Sequence, residues 1–229
     1  MSKSGQKKAV VLLSGGMDSA VCTAIARNSG YELAALHLNY GQRTQSRELE
    51  CFNQICDDFD IKLRLVVDVS FLSQIGGSSL TDFNIDINPS NLGSGEIPNT
   101  YVPFRNANIL AIATSWAEVI SASAIYIGAM EQDSSGYPDC RRSFFTAFQS
   151  AVSLGTKPGT EIEILTPIID KSKSDIIIEG IKSGVDFSHT WSCYKSIEKA
   201  CGECESCVLR LRGFKNAGIT DPVEYEIRA

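Results

Sequence analysis

A short apolar run, Lys8–Leu13 (KAVVLL), ends in Ser14-Gly15-Gly16-Met17-Asp18-Ser19 and gives way to residues of helical composition, Ala20–Asn28, with Gly30 as the stop. A buried-type strand that turns through paired glycines into a helix is the opening unit of a parallel α/β fold. The pattern then repeats. Leu33–Asn39 reads as a second strand, Thr44–Asp58 as a helix with Leu49, Phe52, Ile55 and Cys56 on one face, and Ile61–Val67 as a third strand. This alternation predicts a doubly wound, mainly parallel sheet. Such a sheet opens its ligand crevice at the carboxyl ends of the strands, where the glycine turn sits.

Residues 76–104 break the rhythm. They are rich in Gly, Ser, Asn and Pro and carry no long period, so a lid-like or substrate loop is expected. Order resumes with a helix over Arg105–Ile120, its buried face carrying Ile109, Ile112, Ala113, Trp116 and Ile120. A strand over Ala124–Met130, a turn-rich loop over Ser134–Arg142 and a helix over Phe144–Leu154 follow. A strand over Ile162–Ile169 and a helix over Ser172–Ser183, with Ser172 as N-cap and Gly184 as stop, complete the sheet region. The chain ends in a cysteine cluster and a short basic helix, Glu205–Asn216. The expected division is an α/β domain over residues 1–185 and a small metal-binding tail over residues 186–229.

Charge excludes some functions. Lys plus Arg number 21 against 27 for Asp plus Glu, a formal net charge of -6, which does not suit tight nucleic-acid binding. The most apolar stretch, Ala107–Met130, is interrupted by Asn108, Glu118 and several Ser, so no membrane span is expected. The polar start, MSKSGQKK, lacks a signal-peptide pattern, and a cytoplasmic chain is expected.

The turn spanning Leu13, Ser14, Gly15, Gly16, Met17, Asp18, Ser19 and Ala20 can hold an anion. Its glycines let the backbone approach a ligand, and the helix start aims amides at it. It carries no Walker lysine, and its adjacent glycines do not make the dinucleotide spacing. A carboxylate at Asp18 beside phosphates makes sense with Mg²⁺ between them. The competing reading is a plain Gly-rich turn with a capping Asp.

Cys193-x7-Cys201-x2-Cys204-x2-Cys207 supplies four thiolates in a short span, with Gly202 easing the bend. Structural Zn²⁺ is the natural occupant, because a closed four-Cys site leaves no position for water. A [4Fe–4S] cluster and a redox role are the alternatives. Cys22, Cys51, Cys56 and Cys140 read as small core or loop residues.

Three further segments line up with the strand ends. In Tyr101-Val102-Pro103-Phe104-Arg105-Asn106 the loop enters a helix, and Arg105 can grip phosphate or carboxylate, or be a solvated first-turn residue. Asp133 to Arg141 offers two carboxylates, Asp133 and Asp139, able to accept from a guanine-like edge. Tyr137 in that segment, or Phe104, suits stacking on a base; an ordinary Gly-Pro turn is the alternative. Near the start of the Ser172–Ser183 helix, Lys173 suits charge that develops on phosphates, ahead of Lys171.

Ser-Gly-Gly-x-Asp-Ser at the end of the first strand resembles the pyrophosphate loop of the N-type ATP pyrophosphatases. That resemblance implies an adenine nucleotide alpha hydrolase-like fold and cleavage of ATP between the α and β phosphates. LSGGMDS, YGQR at Tyr40–Arg43, YVPFRN, SGYPDCR and CGECESC with the preceding Cys193 together resemble the 7-cyano-7-deazaguanine synthase family of queuosine precursor synthesis. The pieces run from residue 13 to residue 207, nearly the whole chain. The resemblance implies a ligase that adenylates 7-carboxy-7-deazaguanine, lets ammonia displace AMP to give the amide, and adenylates the amide to reach the nitrile. It implies ATP and Mg²⁺ at the glycine turn, with Asp18, Arg105 and Lys173 as the catalytic groups. It further implies Asp133 and Asp139 on the deazaguanine edge, Phe104 and Tyr137 flanking it, zinc in the tail, and a homodimer. Two departures stand out: Thr44 where the family usually carries His, and Ser134 where an aromatic is usual. A tRNA thiolase with the same ATP chemistry, or a ligase for another deazaguanine, remain the alternatives.

Overall fold

The computed structural model describes residues 6–88, 96–131 and 136–226. Strands β1 (Lys8–Leu12), β2 (Glu32–Asn39) and β3 (Leu63–Asp68) alternate with helices α1 (Met17–Asn28) and α2 (Gln45–Asp58). A five-residue helix, α3 (Phe71–Ile75), precedes the loop, and α4 (Arg105–Ile120) follows it. Then come β4 (Ala124–Ile127), α5 (Arg142–Gly155), β5 (Glu163–Leu165), α6 (Lys173–Lys182) and α7 (Glu205–Ala217).

The five strands are all parallel, in the order β3-β2-β1-β4-β5. Val10 pairs with Ala34 on one side and Ile125 on the other, so the carboxyl ends of β2, β1 and β4 lie side by side. The chain winds outward from β1 to β3 and then returns to place β4 on the other flank of β1. The topological switch point, where open α/β sheets bind ligands, is therefore between β1 and β4.

Alternation along β1 divides the core in two. Val10 and Leu12 face Leu110, Ala113 and Ala117 of α4 together with Phe145 of α5. Ala9, Val11 and Leu13 face Ala20 of α1, Phe52 and Ile55 of α2, Ile176 of α6 and Phe214 of α7. The four tail cysteines belong to the first of these clusters.

Several boundaries differ from the sequence expectation. Helix α1 begins at Met17 rather than Ala20, which puts Asp18 and Ser19 in its first turn. Strand β4 ends before Gly128 because the chain there passes against the start of α1: a Cβ on Gly128 would lie 2.9 Å from Asp18 backbone atoms. Strand β5 is short because Pro167 offers no N–H to a ladder, and Ile169 instead donates back to the Thr166 carbonyl (3.2 Å). On α4 the fully buried stripe is Leu110, Ala113 and Ala117, and the larger Ile109, Ile112, Trp116 and Ile120 are only partly buried beside it. Small side chains let the helix sit close on the sheet, so size misdirects the choice of face. Helix α3 is too short to show a period.

The described parts of the 76–104 loop contain no helix or strand. Arg43 ties the loop down by donating to the carbonyls of Ser79 (2.7 Å), Asp82 (3.0 Å) and Ile85 (2.7 Å). At the other end of the chain, Arg210 on α7 is fully buried and bonds both Asp221 oxygens (2.8 and 2.9 Å) and Thr190 Oγ1 (2.7 Å). No helix among the described residues is long and apolar enough to cross a membrane.

Candidate active site

The glycine turn is braced from within. Ser19 Oγ donates to the Gly16 carbonyl (2.8 Å) and accepts from the Ser14 amide (3.2 Å), and the Ser14 hydroxyl accepts from the Gly16 amide (3.2 Å). The first bond closing α1 runs from the Ala20 amide to the Gly16 carbonyl (3.1 Å). The amides of Met17, Asp18 and Ser19 precede it, so they are the unspent donors of a helix start. Gly15 has φ +88°, and a Cβ there would lie 2.4 Å from the Glu48 carbonyl oxygen. Only glycine fits that approach.

Beside this cradle, Lys173 Nζ contacts Asp18 Oδ2 at 2.5 Å. Lys173 is the first residue of α6, whose N-cap Ser172 forms a reciprocal capping box with Asp175. Sequence reasoning named both partners from separate motifs, and the fold brings them together. Asp18 Oδ1 is buried without a hydrogen-bond partner. A carboxylate oxygen left free beside an anion cradle fits a divalent cation.

A cavity of about 280 Å³ opens at the switch point. Leu13, Ser14, Gly16, Met17, Asp18 and Ser19 line it, together with Lys173 and Arg105. Arg105 Nη1 donates to the Tyr40 hydroxyl (2.9 Å), and its guanidinium carbon is 5.1 Å from that ring's centre. Tyr137 lines the cavity, shares a hydrogen bond with Thr100 Oγ1 (2.8 Å) and packs its ring 5.6 Å from Tyr101. Burial holds the phenols of Tyr40, Tyr137 and Tyr194 above their usual range, so all three are neutral at pH 7.

Other expected residues fall elsewhere. Asp139 is 3% exposed and is not part of the cavity wall. Its Oδ2 accepts from the Asn106 amide (2.9 Å), and its carbonyl accepts from Asn106 Nδ2 (2.9 Å). The residue thus caps α4 from outside the helix, directly behind Arg105, and burial raises its carboxyl pKa. Phe104 is the left-handed N-cap of α4 (φ 58°), 59% exposed, and meets Phe144 edge-on at 6.1 Å without lining the cavity. Asp133 and Ser134 lie outside the described residues. Gly15 and Ala20 support the cradle without lining the cavity. Thr44 does not sit on a rim: it is 2% exposed and donates to Glu48 Oε1 (2.7 Å).

The cavity also uses groups that motif reading passed over, namely Glu48, Gly128, Trp191, Tyr194 and Ser206, and it gives Tyr40 a contact that YGQR alone did not suggest. Gly128 was detectable as a glycine directly after a strand; the others carry no local signal.

Cys193, Cys201, Cys204 and Cys207 are all buried, with their sulfurs within 4.8 Å of one another, a group that could hold a metal ion. Cys193 Sγ accepts from the amides of Lys195 (3.3 Å), Ser196 (3.4 Å) and Cys201 (3.3 Å), which favours a thiolate. The knuckle is joined to the glycine turn: the Trp191 amide donates to the Gly15 carbonyl (2.9 Å), and Arg47 lies over the Trp191 ring at 4.9 Å.

The family described as "Queuosine biosynthesis protein QueC" matches residues 8–218. The chain belongs to this family. Among its relatives, a 7-cyano-7-deazaguanine synthase of Chlorobaculum parvum is 59% identical over 96% of this chain and 97% of its own length. A second, from Chloroherpeton thalassium, is 60% identical over 96% and 98%. Among solved structures, a 4-thiouridine synthetase–RNA complex with bound ATP superposes with a TM-score of 0.51 at 19% identity, over 78% of this chain and 41% of that one. A predicted subunit of tRNA methyltransferase from Methanocaldococcus jannaschii gives 0.51 at 12% identity, over 96% and 92%. At those identities the likeness is one of fold. It places the QueC-family sheet among α/β proteins of the expected kind.

Proposed function

We propose that this chain is the ligase that converts 7-carboxy-7-deazaguanine and ammonia to 7-cyano-7-deazaguanine, using ATP and releasing AMP and diphosphate. Family membership supports the product. The observation that supports the chemistry is one cavity joining an amide-lined cradle, the Asp18–Lys173 pair and a separate guanidinium.

A carboxylate resists ammonia because both its oxygens share the negative charge. In this reading one of its oxygens attacks the α-phosphorus of ATP, and the bond to the departing diphosphate breaks. Ammonia adds to the acyl adenylate and AMP leaves, giving the amide. The amide oxygen attacks a second ATP, and loss of AMP with a proton leaves the nitrile. The amides of residues 17–19 and the hydroxyls of Ser14 and Ser19 cradle the diphosphate. Lys173, released from Asp18, neutralises charge that grows on the phosphates. Asp18 would hold Mg²⁺, whose charge screens the phosphates. Tyr137 flanks the base, with Phe104 reaching it only if the loop entry moves. Asp133 stands as the reader of the deazaguanine edge, while Asp139, expected beside it, instead supports the wall by holding the Asn106 amide.

Zinc is the proposed metal of the four-Cys group. Four thiolates about 2.3 Å from one ion stand about 3.8 Å apart, and Cys201 and Cys207 sulfurs are 3.9 Å apart. A cluster of four irons needs its thiolates spread more widely. The site has a structural role in this reading. The tail over residues 186–229 then forms a unit docked on the 1–185 domain, and the 76–104 segment keeps the role of a substrate loop in this reading. A cytoplasmic homodimer that takes small molecules rather than nucleic acid belongs to the same proposal, and sedimentation tests the dimer.

The thiolase alternative needs a reactive cysteine in the cleft. Cys140 lines the cavity, but burial pushes its thiol up to about 11, which leaves it protonated. The deciding experiment is mass spectrometry of the zinc-loaded protein with 7-carboxy-7-deazaguanine, ammonium, Mg²⁺ and ATP. The nitrile with AMP is expected. AMP with only the amide would change the product, and no AMP would overturn the substrate.

A further inference from the structure

Two cations line the cavity, and their surroundings differ. Lys173 stands on the α1 side of the sheet, beside the cradle, and is already paired with Asp18. Arg105 heads α4, on the opposite side, and has no carboxylate at ion-pair distance among the described residues. The ion-paired arginines have their acids: Arg47 has Glu50, Arg64 has Asp57, Arg142 has Asp170, and Arg210 has Asp221. Asp139 senses the Arg105 charge, yet it is committed to the Asn106 amide behind the cavity wall.

The groups that face Arg105 most closely are phenols and a thiol rather than carboxylates. Tyr40, Tyr137, Tyr194 and Cys140 are its electrostatic neighbours, each with its proton held on by burial. Of the five guanidinium N–H donors, one on Nη1 is bonded among the described residues, to the Tyr40 hydroxyl. A cation set against a cavity, with donors to spare and no internal counter-charge, gains most from a planar anion it can grip with two bonds.

The reaction proposed above offers such an anion in only one of its two halves. The acid carries a carboxylate, the amide intermediate is neutral, and ATP is common to both. We propose that Arg105, aimed by Tyr40, is the receptor for the carboxylate of the incoming acid, on the α4 side of the cleft, and that the ATP phosphates are served from the α1 and α6 side. Arg105 then sets the preference for acid over amide and orients the acid for the first adenylation. This inference rests on the substrate reading above. It narrows the sequence expectation that Arg105 grips phosphate or carboxylate to the carboxylate alone.

The test is direct binding, by calorimetry, of 7-carboxy-7-deazaguanine and of its 7-carboxamide to the zinc-loaded full chain and to Arg105→Gln. Arg105→Gln should weaken the acid about a hundredfold and the carboxamide by less than about threefold. Tyr40→Phe should lose part of the acid preference while binding the carboxamide normally, an outcome that a merely structural tyrosine would not produce. Arg105→Lys should recover part of the preference, since it keeps the charge and loses the fork. Equal weakening of both ligands by Arg105→Gln, or no change in either, overturns the inference while the nitrile-forming activity stands. Wild-type protein that binds neither ligand and makes no nitrile overturns the substrate reading and this inference with it.

Discussion

Asp18 shows how a single side chain joins two requirements. One oxygen neutralises Lys173 and the other is buried without a partner, which is the arrangement the proposed Mg²⁺ needs. Lys173→Ala should lower kcat about a hundredfold or more, with a smaller change in KM for the deazaguanine, because its contribution grows with the phosphate charge. Gly128→Ala is the packing counterpart. The added Cβ would meet the Asp18 and Ser19 backbone at 2.9 Å and push α1 away from β4. KM for ATP should rise, and thermal denaturation should show a loss of about 1–3 kcal/mol. At this scale the sequence was informative wherever a residue type has one chemical use. Gly15, Asp18 and Lys173 were legible because few structural roles need them in that order. Asp139 was not, since nothing local says that its oxygen will cap a helix more than thirty positions away. Tyr40 gained its meaning only when Arg105 arrived beside it.

Helix α6 carries the element-scale argument. Ser172 accepts from the Asp175 amide (3.2 Å), and Asp175 answers by accepting at the Ser172 amide (3.3 Å). Lys173 is the next residue, so the cap also sets where its ammonium starts. Ser172→Ala should cost about 1 kcal/mol in stability and should lower kcat more than a cap on a remote helix does. Comparing it with Asp186→Ala, which removes the cap of the short turn at Phe187–His189, separates the two effects. This cap was readable from sequence, because a Ser before an apolar-periodic run with an acid three residues on has a local cause. The ends of β4 and β5 were not, because a close approach to α1 at Gly128 and a turn after Pro167 are tertiary events.

At the scale of the whole molecule, the tail and the sheet are one packed body. The four cysteines share a core cluster with Val10 and Leu12, and Trp191 bonds the glycine turn. Stripping zinc-loaded protein with a chelator should therefore lower the single unfolding midpoint and raise KM for ATP together, rather than release a floppy tail from an active domain. Differential scanning calorimetry and ATP kinetics on the same sample check both. A second tie is His189 to Asp58 at 2.7 Å, joining the approach to the tail with the end of α2. The hydrogen bond to Asp58 raises the His189 pKa. A raised value in the folded chain means the pair stabilises fully below the unfolded histidine value near 6.5 and stops doing so as pH rises through the folded value. The stability gap between wild type and Asp58→Asn should be present at about pH 5.5 and should shrink by about pH 9, at less than about 1 kcal/mol because both groups are partly exposed.

The cavity wall runs from Leu12, at the end of the first strand, to Leu209, on the last helix. Segments of the first strand and of α7 thus face one another across it, so neither alone encloses the cavity, and loosening either end of the described fold opens the whole chamber to solvent.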